Sequence, residues 1–257
     1  MKIARQTVQV NGLPAYYEVA GAGEPLVLIH GLAESARLWD RNLPALARHY
    51  RVYLVDLPGF GMMRKSRQPF ELARANMWLA DWMQAVGLET ASLIGHSMGG
   101  YVSMALAATH PEKVKRLVLV NSIGVPFDLP LVRLVPLALK AIVRTTSFAL
   151  WFCVGYDYLR AGHTTVMNAS QQIVELDASA VVESVRAPAL LIWGENDDLV
   201  PFHLGRQLHR QLPGARLRVI RGANHYCMYE RPDEFNHALL TFLQGQNTGR
   251  ETAESAG

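Results

Sequence analysis

Short apolar runs recur along this chain and constrain its fold more than any other feature. Five runs of four or five residues are almost entirely apolar, and a sixth has a more alternating pattern. The five are Leu26–Ile29, Val52–Val55, Ala91–Ile94, Leu117–Val120 and Ala189–Trp193, and the sixth is Arg216–Ile220. Runs of this kind suit strands that are buried on both faces, as in a parallel sheet.

Helical patterns separate several of these runs. Apolar residues recur at three- and four-residue spacing in Leu72–Val86, Met98–His110, His203–Leu212 and Pro232–Phe242. Near the start, Asn11-Gly12 lies between two alternating segments and predicts a hairpin. The pattern as a whole predicts an α/β fold with a mostly parallel central sheet and helices on both faces.

One segment interrupts this alternation. About 70 residues without a strand signal separate the fourth run from the fifth, which is too long for a bare loop in a compact domain. We therefore predict a helical cap over residues 123–185, inserted into a core made of residues 1–122 and 186–244. The polar tail, residues 245–257, is predicted to be disordered.

The cap sequence is mostly apolar and aromatic. It is expected either to pack on its neighbours only or to line an apolar substrate pocket, and we favour the pocket. The candidate pocket residues, chosen from composition alone, are Leu134, Leu137, Phe148, Trp151 and Phe152.

Composition excludes several classes of protein. The chain has 257 residues, of which 50% are hydrophobic and 18% charged, with a net charge of +3. This mild excess does not indicate a nucleic-acid partner. The two cysteines form neither a metal-binding nor a disulfide pattern. We expect no signal peptide, no spanning helix, no membrane contact and a cytoplasmic location; the sequence does not set the oligomeric state.

The stretch GHSMGG, residues 95–100, is the first candidate for chemistry. Gly95-x-Ser97-x-Gly99 follows an apolar run and precedes a helical pattern. In a sharp strand-to-helix turn, side chains two positions before and after the serine would collide with backbone, and the turn presents the hydroxyl at the edge of the sheet. Ser97 is therefore the predicted nucleophile, near a helix N-terminus that favours developing negative charge.

A base and an acid follow the last two apolar runs. His225 comes after Arg216–Ile220 and can exchange a proton near neutral pH. Asp197 and Asp198 follow Ala189–Trp193, and a carboxylate there can orient the histidine. Only one aspartate is expected to face His225, and we favour Asp197. The predicted catalytic residues are thus Ser97, Asp197 and His225.

The oxyanion donors are predicted in two places. The loop after Leu26–Ile29, with the sequence His30-Gly31-Leu32, should approach the serine turn. The backbone N–H groups of Leu32 and Met98 could then bind the oxyanion. His30 is expected to shape this loop rather than to take a proton.

These stretches resemble the α/β-hydrolase fold family, in its serine esterase- and lipase-like branch. The resemblance covers nearly the whole chain and is carried by LVLIHGLAES, YRVYLVDLPGFG, ASLIGHSMGGYVSMALAATHPEKVKRLVLVNS, PALLIWGENDDLVP and GANHYCMYERPDEF. It implies a triad at Ser97, Asp197 and His225, with the acid at Asp197 of the Gly194-x-x-Asp197 pattern. It implies no metal and no cofactor.

The resemblance also narrows the reaction. Relatives that open epoxides or remove halides carry an aspartate at the position of Ser97, which argues against both reactions. Carbon–carbon hydrolases usually carry glycines where this chain has Leu32-Ala33. We therefore expect a carboxylesterase, which could be lipolytic, acting on a small apolar ester. The alternatives are a carbon–carbon bond hydrolase, a hydroxynitrile lyase, an acyltransferase and a non-catalytic receptor.

Overall fold

Eight strands form one sheet in the part of the chain that the computed structural model describes, which is residues 1–65, 70–126, 136, 140, 143–144 and 147–246. The strands are β1 (Ile3–Val10), β2 (Leu13–Ala20), β3 (Glu24–Ile29), β4 (Tyr50–Val55), β5 (Ala91–His96), β6 (Val114–Val120), β7 (Ala189–Gly194) and β8 (Arg216–Ile220). Their order across the sheet is β1-β2-β4-β3-β5-β6-β7-β8. β2 runs antiparallel to both β1 and β4, and all the other neighbouring pairs are parallel.

The predicted N-terminal hairpin is confirmed. β1 and β2 are joined by Asn11 and Gly12, whose φ angles are 51° and 75°. A two-residue turn with both φ angles positive matches the right-handed twist of the strands, and Asn-Gly is the preferred sequence for it.

Helices cover both faces of the sheet. Their bounds are α1 (Leu43–Leu46), α2 (Leu72–Ala85), α3 (Met98–Thr109), α4 (Phe148–Ala161), α5 (His163–Val174), α6 (Ser179–Ser184), α7 (Phe202–Gln211), α8 (Cys227–Glu230) and α9 (Pro232–Leu243), with 3₁₀ turns at Ala36–Trp39, Gly61–Met63 and Pro111–Lys113. Successive residues of β3 face opposite sides: Val27 and Ile29 join the core under α2, α3 and α7, whereas Leu26 and Leu28 join the core under α1 and α9.

This two-sided burial explains the apolar runs in the sequence. A strand covered on one face alternates apolar and polar residues, but a strand covered on both faces needs apolar residues throughout. The α/β fold predicted from the sequence is confirmed.

Among the described residues between β6 and β7 are the helices α4, α5 and α6. α4 packs against α5 and against the two 3₁₀ turns at Ala36–Trp39 and Gly61–Met63, whereas α6 packs against α3. The described part of the predicted cap is therefore helical. Its bounds at 123 and 185 stay a prediction, and so does the disordered tail, since residues 247–257 lie outside the described residues. No helix among the described residues is long and apolar enough to cross a bilayer.

The turn from β5 into α3 depends on close backbone contact. A Cβ atom on Gly95 would lie 2.2 Å from the carbonyl oxygen of Gly99, and a Cβ atom on Gly99 would lie 2.3 Å from that of His30. Real Cβ atoms do not approach a backbone oxygen so closely. Glycine at both positions therefore lets the turn pack against the loop after β3.

We predict that Gly95→Ala destabilises the protein by about 1–3 kcal/mol, because the added methyl group forces the β5–α3 turn apart. Gly155→Ala is the control: a Cβ atom at Gly155 in α4 has no heavy atom within 4 Å. That variant should gain about 0.5–1 kcal/mol from the lower chain entropy of alanine. Chemical denaturation of both variants measures the difference, and equal stabilities would contradict the prediction.

Candidate active site

The C-terminal ends of the parallel strands β3, β5, β6, β7 and β8 lie at one edge of the sheet. The loops that follow them therefore meet, as the crevice of an open α/β sheet requires. The predicted catalytic and oxyanion residues all follow one of these strand ends.

Ser97 lies between β5 and α3 in a strained backbone conformation. Its φ and ψ angles are 51° and −116°, a region that a residue with a side chain rarely occupies. Hydrogen bonds hold the turn: the N–H of Ser97 donates to the Val120 oxygen at 2.9 Å, and the Ser97 oxygen accepts from the N–H of Gly100 at 3.0 Å. Ser97 is 9% exposed, and it stands at the N-terminus of α3.

Asp197 and His225 form a buried pair. Nδ1 of His225 lies 2.8 Å from Oδ2 of Asp197, and the two side chains are 1% and 0% exposed. Because an ionised carboxylate only accepts hydrogen bonds, Nδ1 carries a proton and donates a hydrogen bond to Asp197. Nε2 of His225 is then the nitrogen that can accept a proton from a nucleophile.

Further hydrogen bonds fix the Asp197 carboxylate. Its Oδ1 accepts from the N–H groups of Leu199 and Val200 at 2.8 and 2.9 Å. Its Oδ2 also accepts from Nδ2 of Asn121 at 2.5 Å. The carboxylate is held from both β6 and β7, so its orientation toward His225 does not depend on the histidine.

The neighbouring Asp198 faces away from His225. It is paired with Lys140, at 3.2 Å, and with Arg144. The structure therefore separates the two aspartates that the sequence left in competition, and it places Asp197 against the histidine.

The pKa of His225 is raised above its ordinary value. Burial acts to lower it, but the charge of Asp197 and the hydrogen bond to that carboxylate outweigh burial, with a further contribution from Glu34. The imidazolium form of His225 is thus stabilised inside the protein, as a catalytic base requires once it has taken up a proton.

The two predicted oxyanion donors come from the serine turn and from the loop after β3. Met98 is the first residue of α3, where backbone N–H groups have no partner inside the helix. Leu32 follows β3 in the loop that passes close to Gly99. The His30 ring holds this loop, since its Nε2 accepts from the N–H of Leu57 at 3.0 Å and its Nδ1 lies 2.7 Å from the Gly31 oxygen.

The predicted pocket residues are only partly placed. Leu134 and Leu137 lie outside the described residues. Phe148 and Phe152 are 80% and 77% exposed, which corrects the expectation that they line an enclosed pocket. The reason is the helical period: Leu150 and Val154 form the buried face of α4, and Phe148 and Phe152 lie on the opposite face. Trp151 is partly buried.

Sequence reasoning missed two sets of residues at this site. Asn121 directly follows β6 at the same edge as Asp197, and that position was a usable signal. Glu34 and His96 are fully enclosed and paired to each other, with 3.0 Å between Oε2 and Nδ1. No sequence signal joins them, because they are 62 residues apart.

A model of the α/β hydrolase fold family matches residues 24–146. A protein of Caulobacter sp. (strain K31) with the provisional name carbamate hydrolase RutD is 30% identical, over 94% of this chain and 99% of its own length. The chain belongs to the α/β-hydrolase fold family.

Two further relatives of this α/β-hydrolase are similar over nearly its whole length. A 2-hydroxy-6-oxononadienedioate/2-hydroxy-6-oxononatrienedioate hydrolase of Paraburkholderia phymatum is 31% identical, over 90% of this chain and 91% of the relative. The crystal structure of a serine hydrolase involved in carbazole degradation, the CarC enzyme, superposes with a TM-score of 0.81 at 27% identity. The superposition covers 95% of this chain and 100% of the CarC chain.

We predict that the pKa of His225 lies above the value of about 6.5 that is ordinary for histidine. Asp197→Asn should lower it, because removing the anion removes the main stabilisation of the imidazolium. Nuclear magnetic resonance titration of the histidine ring measures both values. Asp198→Asn is the matched control and should leave the titration unchanged; equal effects of the two substitutions would refute the pairing.

Proposed function

We propose that this hydrolase cleaves carboxylic esters through an acyl-enzyme formed on Ser97. The observation that carries the proposal is the buried Asp197–His225 pair, 2.8 Å apart, at the sheet edge where the strained Ser97 turn also lies. A serine, a histidine and an oriented carboxylate on three neighbouring loops are the requirements of nucleophilic acyl transfer.

In the proposed mechanism, Oγ of Ser97 attacks the ester carbonyl carbon while Nε2 of His225 takes the hydroxyl proton. The tetrahedral intermediate places its negative oxygen between the N–H groups of Leu32 and Met98. Loss of one such donor typically costs about 3 kcal/mol of transition-state stabilisation. His225 then protonates the leaving alcohol, which departs as the carbonyl re-forms.

Deacylation repeats these steps with water. His225 removes a proton from the water as its oxygen attacks the acyl carbonyl, and then returns the proton to Oγ of Ser97. Asp197 stabilises the imidazolium in both halves of the reaction without itself taking the proton. An apolar acyl or alcohol part is supported by the apolar character of the helical segment after β6.

We predict that the wild-type protein hydrolyses p-nitrophenyl esters within the series from acetate to palmitate, and that Ser97→Ala loses at least about 1,000-fold in kcat. Ser103→Ala is the control, since the Ser103 hydroxyl is buried in α3 and donates to the Gly99 oxygen at 2.7 Å. It should retain activity. A wild-type protein that is inert on the whole series would reject the ester proposal, as would a Ser97→Ala variant of wild-type activity.

A carbon–carbon bond hydrolase is the second candidate. It is supported by the Paraburkholderia phymatum relative at 31% identity and by a relative of Metapseudomonas resinovorans, at 27% identity, named 2-hydroxy-6-oxo-6-(2'-aminophenyl)hexa-2,4-dienoic acid hydrolase. Carbon–carbon hydrolases usually carry glycines where this chain has Leu32 and Ala33, and this difference weighs against the second candidate.

Turnover of a 2-hydroxy-6-oxo-dienoate distinguishes the two candidates. We predict that kcat/KM for the preferred p-nitrophenyl ester exceeds that for the dienoate. The reason is that the loop after β3 carries Leu32 and Ala33 where carbon–carbon hydrolases usually carry glycines. Loss of the dienoate's absorbance measures the competing reaction. A higher kcat/KM for the dienoate would reverse the assignment.

A further inference from the structure

The buried carboxylate of Glu34 lies next to the candidate active site and is not part of the proposed triad. Glu34 is 3% exposed, and its Oε2 atom accepts from the N–H of Gly31 at 2.6 Å. The same oxygen lies 3.0 Å from Nδ1 of His96. Burying a carboxylate is costly unless it is paired, so this pair calls for an explanation.

His96 extends the contact to the histidine of the triad. Its Nε2 atom lies 3.0 Å from the backbone oxygen of His225, and its ring centroid is 4.6 Å from that of His225. Gly31 precedes Leu32, and His96 precedes Ser97. One chain of hydrogen bonds therefore joins the oxyanion loop, the nucleophile turn and the histidine loop.

The hydrogen-bond partners determine where the protons lie. The backbone oxygen of His225 only accepts, so Nε2 of His96 must donate to it. Oε2 of Glu34 already accepts from Gly31, and an ionised carboxylate also accepts from Nδ1. A proton therefore lies between Nδ1 of His96 and Oε2 of Glu34, and it joins the two side chains in a buried hydrogen bond.

Electrostatics agree with this assignment. Burial acts to raise the pKa of Glu34, but the charge and hydrogen bond of His96 outweigh it and hold the pKa below its ordinary value. Burial and the Glu34 charge also raise the pKa of Tyr226, which keeps its hydroxyl protonated beside the pair.

We propose that Glu34 and His96 are positioning residues for catalysis: the buried hydrogen bonds of this pair fix Leu32, Ser97 and His225 relative to one another. The proposal rests on the proposed function, since it assigns a role in the same acyl transfer. The position of Gly31 supports the proposal, because a Cβ atom on this residue would lie 2.7 Å from Oε2 of Glu34 and 3.0 Å from Nδ1 of His96. Glycine at this position makes room for the pair.

Glu34→Gln tests the proposal in the full-length protein. Glutamine replaces the anionic oxygen by a neutral amide that binds the Gly31 N–H and the His96 ring more weakly, so the three loops lose their common support. A displacement of about 1 Å at an active site can cost about 100-fold in rate, and we expect a fall of that order in kcat with little change in KM. The acid limb of the kcat/KM profile should also move to lower pH, because an anion that favours the His225 imidazolium is lost.

Binding of inhibitors separates positioning from general damage. A boronic acid adds to Oγ of Ser97 and mimics the tetrahedral intermediate, so Glu34→Gln should weaken it by about the same factor as kcat. An ether analogue of the substrate, which has no carbonyl, should bind as before. Glu24→Gln is the matched control: it breaks an exposed ion pair with Lys115, 2.6 Å apart, and should change none of these quantities.

Two further measurements apply if Glu34→Gln does not fold. Glu34→Asp keeps the charge but shortens the side chain, so it should keep the acid limb of the wild type and lose kcat. The nitrogen-15 shift of Nδ1 in His96 should differ between the wild-type protein and Glu34→Asp, because the shorter side chain stretches the hydrogen bond between the carboxylate and the ring.

Normal kcat and normal boronic acid binding in Glu34→Gln, or an unchanged nitrogen-15 shift of His96 in Glu34→Asp, would overturn the proposal. Failure of the proposed function is distinguishable, because the wild-type protein itself would then be inert on esters. Boronic acid binding to Ser97 and the nitrogen-15 shift of His96 would still test the contact between Glu34 and His96.

Discussion

The structure depends on a central sheet that is buried on both faces. β3, β5, β6 and β7 have no face toward water, so their backbone groups must pair with each other and their side chains must be apolar. These requirements leave little room for polar side chains in the middle of the strands. Polar chemistry is therefore confined to the strand ends, where Ser97, Asp197 and His225 all stand.

The strand ends bring the candidate catalytic residues to one edge of the sheet, and a few short contacts fix their orientation. The Ser97 backbone occupies a costly conformation, and hydrogen bonds to β6 and α3 keep it there. The Asp197 carboxylate accepts from Asn121 and from two backbone N–H groups before it meets His225. The Ser97 backbone and the Asp197 carboxylate are thus held by the scaffold, and Asp197 in turn orients His225, which is an arrangement that preorganised catalysis requires.

Buried polar groups at this edge form connected networks. Glu34, His96 and the His225 backbone make one such network, and Asp197, Asn121 and Cys227 make another, in which the Cys227 thiol lies 3.1 Å from the Asn121 oxygen. Burial raises the pKa of Cys227, so this thiol stays protonated and serves as a donor and a packed group.

Local patterns in the sequence determined the strands, the main helices and the hairpin, because burial on two faces, helical periodicity and the Asn-Gly turn each leave a mark on neighbouring residues. They also determined which residues stand at the strand ends, and hence the candidates Ser97, Asp197 and His225. Tertiary structure alone decided that Asp197 and not Asp198 faces His225, that Phe148 and Phe152 face outward, and that Glu34 meets His96 across 62 positions. These outcomes depend on side-chain direction and on contacts between distant segments, which no local pattern encodes.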